Sequence, residues 1–441
     1  MAALVAAIHK HPYCRAPHTE TMDGRHEGGH DDSSLRRALQ VPATTSNLPA
    51  RQTTVMLVAG EPSGDQLGAE LMAGLKALDP SVRIVGVGGA AMTGEGLKSL
   101  YPLDATAVMG LREVVPRIPE ILRRVRVAVE FALQTRPDAV VCIDSPDFTH
   151  RIAQGLKRRD PSIRTVNYVA PQVWASRPYR ARKMARYFDL VLALWPFEAP
   201  FFEKHGVHSV FVGHPVIERA SRMTGGGALR ARLGIPASAP LLLVVPGSRI
   251  SEVKLLLPAM REAVRLLARD VPGLQCVIPA VAHVAERVKA LAQGWPTPLH
   301  IVEGEDARFA AFNAANAALA KSGTVTIELA LARLPMAVAY KLGWLTYALY
   351  RPLIVVDYAC LVNLLLEREA VPELIQSRCT PEALAAAVKP LLTDENARRA
   401  QLRDLDAATA MLGKGGDAPS LRAARALLDF VRGAQRLEIG T

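Results

Sequence analysis

From Thr54 onward the chain repeats one pattern that leaves few folds open. Short apolar, β-branched runs stand at Thr54–Ala59, Val82–Val87, Ala139–Ile143, Thr165–Val169, Leu190–Leu194 and Ser209–Val212. Between them lie amphipathic stretches of helical spacing, such as Gly68–Leu78 and Ile118–Leu133. Runs this uniformly apolar suit strands buried on both faces, and strands alternating with helices build parallel sheets. The alternation halts at Gly213-His214-Pro215 and Thr224-Gly225-Gly226-Gly227, a cluster of chain breakers. It restarts at Leu241–Val245, Cys276–Pro279, His300–Val302, Ala317–Ala320 and Met336–Ala339. The expected fold class is therefore α/β, with two doubly wound, Rossmann-like domains facing a central cleft at the carboxyl ends of their strands. The expected first domain covers 53–220, a linker 221–238 and the second domain 239–395. Helices are expected from Pro381 to Arg432, including Leu384–Leu392 and Ser420–Val431, with 396–441 as a helical tail.

A chain of 441 residues is too long for one ordinary core, in keeping with two domains. Residues 1–52 differ from the rest. They hold five of the eleven histidines (His9, His11, His18, His26, His30), interleaved with Glu27, Gly28, Gly29, Asp31 and Asp32. These spacings match no defined metal site, so the segment reads as a disordered extension outside the fold. Met1–Ile8 is apolar but too short for a secretory core before His9 and Lys10. No stretch reads as membrane-spanning; Leu342–Leu349, for instance, is closed off by Lys341 and Arg351. The five cysteines are scattered and odd in number, which argues against a disulfide framework and fits a reducing cytosol. A net charge of +11 and a pI near 9.6 call for an anionic partner. Aromatics are only 5% and no zinc-finger or RNA-recognition signature is present, so nucleic acid is not expected. An anionic membrane surface or a phosphorylated lipid substrate accounts for the same charge, and so does an arginine-rich genome with no partner at all.

Two loops in the second half carry most of the functional signal. Val244-Val245-Pro246-Gly247-Ser248-Arg249 and Ala320-Lys321-Ser322-Gly323-Thr324 each end an apolar run and open a helical pattern. Small residues let a ligand approach the backbone, and a helix start directs unpaired N–H groups at it, which suits phosphate. Arg249 adds a cation to the first loop, and Glu328 stands one helical turn into the second helix. Together they describe a nucleoside-diphosphate site, with backbone for phosphate and a carboxylate for ribose hydroxyls. The plainer reading is a pair of structural βα turns. In the first half, Glu61-Pro62-Ser63-Gly64-Asp65 follows the first strand, where a sugar-binding loop and a helix cap by Ser63 or Asp65 coincide. Asp144 and Asp147 end the third strand; without a third ligand they make a poor metal site.

Several motifs, taken in order, resemble the lipid-A-disaccharide synthase family. They are Val58-Ala59-Gly60-Glu61-Pro62-Ser63-Gly64-Asp65, Gly86-Val87-Gly88-Gly89 with Met92, Val108-Met109-Gly110-Leu111 and Ile143-Asp144-Ser145-Pro146-Asp147-Phe148. Further on come Tyr168-Val169-Ala170-Pro171-Gln172-Val173-Trp174-Ala175, Val212-Gly213-His214-Pro215, Pro246-Gly247-Ser248-Arg249, Ser322-Gly323-Thr324 to Glu328, and Asp357-Tyr358 through Asn363-Leu364-Leu365. The set spans about residues 54 to 395. Pro62, Ser176, Lys321, Val362 and Leu366-Glu367 depart from the usual pattern, which bears on acceptor or acyl-chain fit more than on the nucleotide.

The resemblance implies a GT-B glycosyltransferase that moves 2,3-diacylglucosamine from UDP onto 2,3-diacylglucosamine 1-phosphate with inversion. It implies no metal and no cofactor. UDP is then expected against Gly247, Ser248, Ser322, Gly323 and Thr324, with Arg249 on the diphosphate, Glu328 on the ribose and Asn363 as a further polar contact. Glu61, Ser63, Gly64 and Asp65 are expected on the acceptor side. Asp144 is expected to be the base, because it faces the UDP domain across the cleft; Asp147 is its rival, and its plainer role is to cap the next helix. His214 is expected to hydrogen-bond within a hinge loop, and Trp174 and Tyr168 to pack in the core or the cleft wall. Met109, Leu111, Val114 and Val115 beside Arg112 and Arg117 are the expected docking patch for an anionic membrane, on the cytoplasmic face of the inner membrane of a Gram-negative cell. From Ile118 onward an ordinary amphipathic helix explains the pattern as well. A homodimer is left open. Two other readings stand: another GT-B enzyme acting on UDP-N-acetylglucosamine, such as a lipid II-forming transferase or an epimerase, or a non-catalytic nucleotide-binding protein.

Overall fold

The structure, a computed structural model, describes residues 52–103, 118–176 and 178–439. The first sheet holds β1 (Thr54–Ala59), β2 (Arg83–Val87), β3 (Ala139–Ile143), β4 (Thr165–Tyr168), β5 (Leu190–Ala193) and β6 (Ser209–Phe211). The second holds β7 (Leu241–Val245), β8 (Gln275–Ala280), β9 (Leu299–Glu303), β10 (Ala317–Lys321), β11 (Met336–Tyr340) and β12 (Glu373–Ile375). Every pairing in both is parallel. The expected α/β class is borne out, and eleven of these strands stand within about a residue of the apolar runs that announced them. β12 was not anticipated: a three-residue strand that begins with a glutamate carries no readable period. Burial explains why the runs are so uniform. All five residues of β3 are fully buried, as are all five of β10 apart from a trace of Lys321.

Strand order decides where a ligand can sit. It is β2-β1-β3-β4-β5-β6 in the first sheet and β12-β11-β10-β7-β8-β9 in the second. The chain therefore reverses direction between β1 and β3, and again between β7 and β10. At such a switch point the loops leave in opposite directions and open a crevice at the strands' carboxyl ends. The four loops at these two points are the ones singled out above: Gly60–Asp65, Asp144–Asp147, Pro246–Arg249 and Ser322–Thr324.

Helix Ile118–Thr135 turns Val125, Ala128, Val129 and Ala132 into the first core, beside Met56 and Val58, and leaves Arg123 and Arg126 exposed. Beyond Ile118, then, the ordinary amphipathic reading holds. Met109, Leu111, Val114 and Val115 lie outside the described residues. The tail is helical, and its last helix, Pro419–Ile439, returns to the first half to lie along helix Pro62–Leu78. There Ser420 Oγ donates to Glu218 at 3.0 Å, Arg422 to the Phe211 carbonyl at 3.1 Å, and Arg432 pairs with Asp79. Among the described residues no helix is long and apolar enough to cross a membrane.

Candidate active site

In the first half, the chain leaves β3 through two consecutive left-handed residues, Asp144 (φ 52°) and Ser145 (φ 45°). Non-glycine residues occupy that region at a cost of order 1–3 kcal/mol each, so the surroundings must impose it. They do. Thr149 Oγ1 donates to the Asp144 carbonyl at 2.7 Å, and Pro146 opens helix Pro146–Arg159 with the φ it needs. The bend brings the Asp144 carboxylate back over the β1 loop. Its Oδ1 accepts from the Ser145 N–H at 2.8 Å and its Oδ2 from Ser63 Oγ at 2.9 Å. The two loops meet closely at Gly64, where an added Cβ would stand 3.0 Å from the Ile143 carbonyl and 3.6 Å from Asp144 Cβ. Asp144 is half-buried, whereas Asp147, in the first turn of the same helix, is exposed.

In the second half, β7 ends at a glycine that has to be one. Gly247 has φ 118°, and a Cβ there would collide with the carboxylate of Glu252. That carboxylate organises the loop. It accepts from the Ser248 and Arg249 N–H groups at 3.1 and 3.3 Å, from Arg249 Nη1 at 2.9 Å, and from Lys321 Nζ at 3.1 Å. It thus caps helix Ile250–Asp270 and joins the two loops at the switch point. Burial alone would raise the Glu252 pKa, but Lys321 and Arg249 outweigh it and hold the carboxyl below its ordinary value. Lys321 is itself buried, which lowers its pKa; Glu252 offsets part of this and Arg249 adds to it. Further along, Glu328 is buried and meets Arg308 at 3.2 Å. Burial raises its pKa, opposed by the charges of Arg308 and Arg219.

These groups line a cavity of about 280 Å³, with Gln172 and Trp174 of the first half completing its wall. Its charged lining is Arg249, Arg308 and Lys321 against Glu252 and Glu328. One positive charge is left over, which favours an anion there. Trp174 is fixed by an Nε1–H bond of 3.0 Å to Glu198, whose carboxylate also accepts from the Leu194 and Trp195 N–H groups. Glu198 is fully buried, and that burial pushes its pKa up to about 7 despite the hydrogen bonds.

The model of a family described as lipid-A-disaccharide synthetase matches residues 55–415. The chain belongs to the lipid-A-disaccharide synthase family. A lipid-A-disaccharide synthase of Rhodospirillum centenum is 47% identical over 378 residues, covering 86% of this chain and 94% of that one. That of Paramagnetospirillum magneticum is 46% identical, covering 86% and 97%. Solved structures show the same fold at low identity. A glycosyltransferase from Rickettsia africae has a TM-score of 0.56 at 12% identity, covering 86% of this chain and 99% of that one. A UDP-GlcNAc 2-epimerase from Neisseria meningitidis, bound to UDP-GlcNAc, has a TM-score of 0.54 at 12% identity, covering 86% and 98%. The family and the GT-B glycosyltransferase fold expected from the motifs are both borne out.

Most residues singled out in a lipid-A-disaccharide synthase of this kind gather at the two switch points. Gly247, Ser248, Arg249, Gly323, Thr324 and Glu328 line the cavity between the halves. Glu61, Ser63, Gly64 and Asp144 share the β1–β3 corner. Three expectations need correction. Asp65 turns away from the corner, and its buried carboxylate accepts from the N–H groups of Gly89, Ala91 and Met92 at 2.6, 2.8 and 3.1 Å. It caps a different helix from the one expected, Ala90–Gly94. Ser322 gives its hydroxyl to the Ala359 carbonyl at 2.7 Å and does not line the cavity. Asn363 is fully buried; its amide bonds the Val371 carbonyl and Glu373, and its oxygen takes the Ala370 and Val371 N–H groups. It braces β12. His214 behaves as expected, with Nδ1 accepting from the Val216 N–H at 3.2 Å and burial holding its pKa down at about 3. Tyr168 is fully buried in the core. Glu252 and Arg308 escaped notice. Glu252 had a local signal, an acid three residues after the helix-capping position; Arg308 had none.

Proposed function

We propose that the protein joins UDP-2,3-diacylglucosamine to 2,3-diacylglucosamine 1-phosphate, giving lipid A disaccharide 1-phosphate and UDP with inversion. The observation that carries this reading is the division of charge across the cleft: a net positive cavity at one switch point and a carboxylate held at both oxygens at the other. In this reading the diphosphate lies against Gly247, Ser248, Arg249 and Lys321, with Gly323 and Thr324 at its side and Glu328 on the ribose hydroxyls. Asp144 takes the proton of the acceptor's 6-hydroxyl as that oxygen bonds to the anomeric carbon of the donor. The bond from that carbon to the diphosphate breaks on the opposite face, and its electron pair leaves with UDP. Arg249 and Lys321 meet the charge that develops there. Glu252 holds both cations in place until the diphosphate arrives, so little reorganisation is needed at the moment of reaction.

Both sugars carry acyl chains, so this reading puts the protein at a membrane surface, on the cytoplasmic face of the inner membrane. Met109, Leu111, Val114 and Val115 remain the proposed docking patch, on the strength of apolar residues beside basic ones. Purified protein given both acylated substrates should form disaccharide 1-phosphate and UDP one to one, read by mass spectrometry. An epimerised UDP-sugar with no disaccharide would overturn the reading.

A further inference from the structure

A second, separate cavity opens beside the Asp144 loop, and the transfer step described above does not use it. It measures about 320 Å³ and lies between the first turns of helix Pro146–Arg159 and helix Tyr179–Met184. Its wall presents Arg151, Arg180 and Lys183 against the single carboxylate of Asp147. Arg151 Nε donates to the Asp147 carbonyl at 2.9 Å, which ties that guanidinium to the helix start. All three cations belong to exposed residues, so their charge has not been buried against a partner.

The same wall includes a buried group with an unmet need. His150 is 8% exposed, with its ring edge-on to Phe188 and Nδ1 3.3 Å from the Tyr187 hydroxyl. Its Nε2 has no hydrogen-bond partner among the described residues. Burial, reinforced by the charge of Arg180, holds the imidazole pKa down at about 4, so the ring is neutral at pH 7. When Tyr187 donates to Nδ1, the ring proton sits on Nε2 and has nothing to bond. A buried donor left in that state costs about 1–3 kcal/mol. Nε2 is itself closed to solvent, so a group in the cavity bonds it only where the wall gives way to admit it.

We infer that this cavity takes a phosphomonoester, the anomeric phosphate of the sugar acceptor. Three cations against one carboxylate suit a doubly charged group with three outer oxygens. The position also fits. Asp147 and His150 stand roughly one and two turns beyond Asp144 in the chain, at about 5 Å per turn. The acceptor's reacting hydroxyl, carried on C6 beside C5, and its phosphate, on C1, flank the ring oxygen and stand only a few ångströms apart, on the order of one to two helical turns. An anion anchored here would leave the hydroxyl end at Asp144. Arg180, Lys183 and His150 are then positioning residues that select a phosphorylated acceptor. This rests on the transfer reading above.

The test compares two acceptors, 2,3-diacylglucosamine 1-phosphate and the same sugar without phosphate, using full-length protein. The variants are Arg180→Ala with Lys183→Ala, at exposed positions, and His150→Phe, which keeps the ring packing. For the phosphorylated acceptor, kcat/KM should fall ~10–100-fold in the double variant and several-fold in His150→Phe. The phosphate-free acceptor should be used equally by all three proteins. Equal losses on both acceptors, or none on either, overturn the inference. A second arm does not depend on turnover. Inorganic phosphate titrated into wild-type protein labelled at histidine should move the His150 resonance, and should not do so in the double variant; an unmoved wild-type resonance overturns the inference. If the double variant instead loses binding to anionic phospholipid vesicles and still discriminates between acceptors, the cations serve a membrane headgroup and the inference fails. Should wild-type protein transfer no sugar at all, the transfer reading falls, and the phosphate titration still decides whether the site exists.

Discussion

Asp144 is held largely through main chain: a left-handed pair of residues, the adjacent Ser145 N–H, its own N–H donating to the Tyr168 carbonyl at 3.0 Å and its carbonyl taking the Thr149 hydroxyl, with Ser63 as the side-chain partner of its carboxylate. Arg249, across the cleft, is held by other side chains, through a carboxylate it shares with Lys321. The two arrangements suit different tasks. A group fixed by backbone keeps its position whatever charge arrives, as a base must if it is to meet a hydroxyl in one geometry. A group fixed by an ion pair can exchange one anion for another. Incoming diphosphate can replace Glu252 as the partner of Arg249 without leaving that cation unpaired. The first half stores strain, and the second stores exchangeable charge.

Three experiments probe that contrast. The largest effect is expected at Asp144. Asp144→Asn keeps the shape and the hydrogen-bond acceptor but cannot take a proton, so turnover should fall by ~10²–10⁴ with UDP affinity unchanged. Asp147→Asn should stay within a few-fold of wild type. A dead Asp147→Asn beside an active Asp144→Asn would move the base one turn along the helix. Next comes Arg249→Ala, expected to lower kcat by ~10²–10³ because its charge acts on the departing diphosphate. Unchanged steady-state rates would leave the cavity without its proposed occupant. The smallest effect is one of stability, at the wall that links the halves. Glu198 has its folded pKa raised to about 7. The stability this gives is full below the ordinary carboxylate range and is lost as pH rises through about 7. Against Glu198→Gln, wild-type unfolding free energy should therefore drop by roughly 3 kcal/mol between pH 4.5 and 7.5. His150 and His214, with lowered pKa values, change stability in the opposite sense at the acid end, so only the difference from the variant isolates Glu198. A flat difference curve would mean that water or a rearranged wall solvates Glu198.

Much of the architecture was legible because burial on both faces of a parallel strand leaves an unbroken apolar run, and a helix following it restores the 3.6-residue period. The site loops were legible for a related reason: small residues and a charge at a strand's end are a local pattern. Asp65, Ser322 and Asn363 show where that kind of reading stops. Each has the right chemistry for a ligand, and each is satisfied instead by main-chain groups that only the fold brings near. For Asp65 those are the N–H groups of Gly89, Ala91 and Met92, and for Ser322 the carbonyl of Ala359. Residue type tells what a polar group can bond, not what stands beside it. Arg308 illustrates the converse, since its tie to Glu328 has no trace in local spacing.

The return of helix Pro419–Ile439 to the first half has a consequence for how the protein is made. Leu67, Leu71, Met72 and Leu75 of the first long helix share one core with Ala424, Leu427, Leu428 and Val431 of the last. Asp79 waits for a partner 353 positions later in the chain. At ~5–20 residues per second, the ribosome needs roughly 20–70 s to cover that distance. The first sheet can form early, but the part of its leading helix that the last helix covers stays bare until translation is nearly over. The half that emerges first is the half that finishes folding last, and in that interval it exposes the kind of surface that chaperones bind.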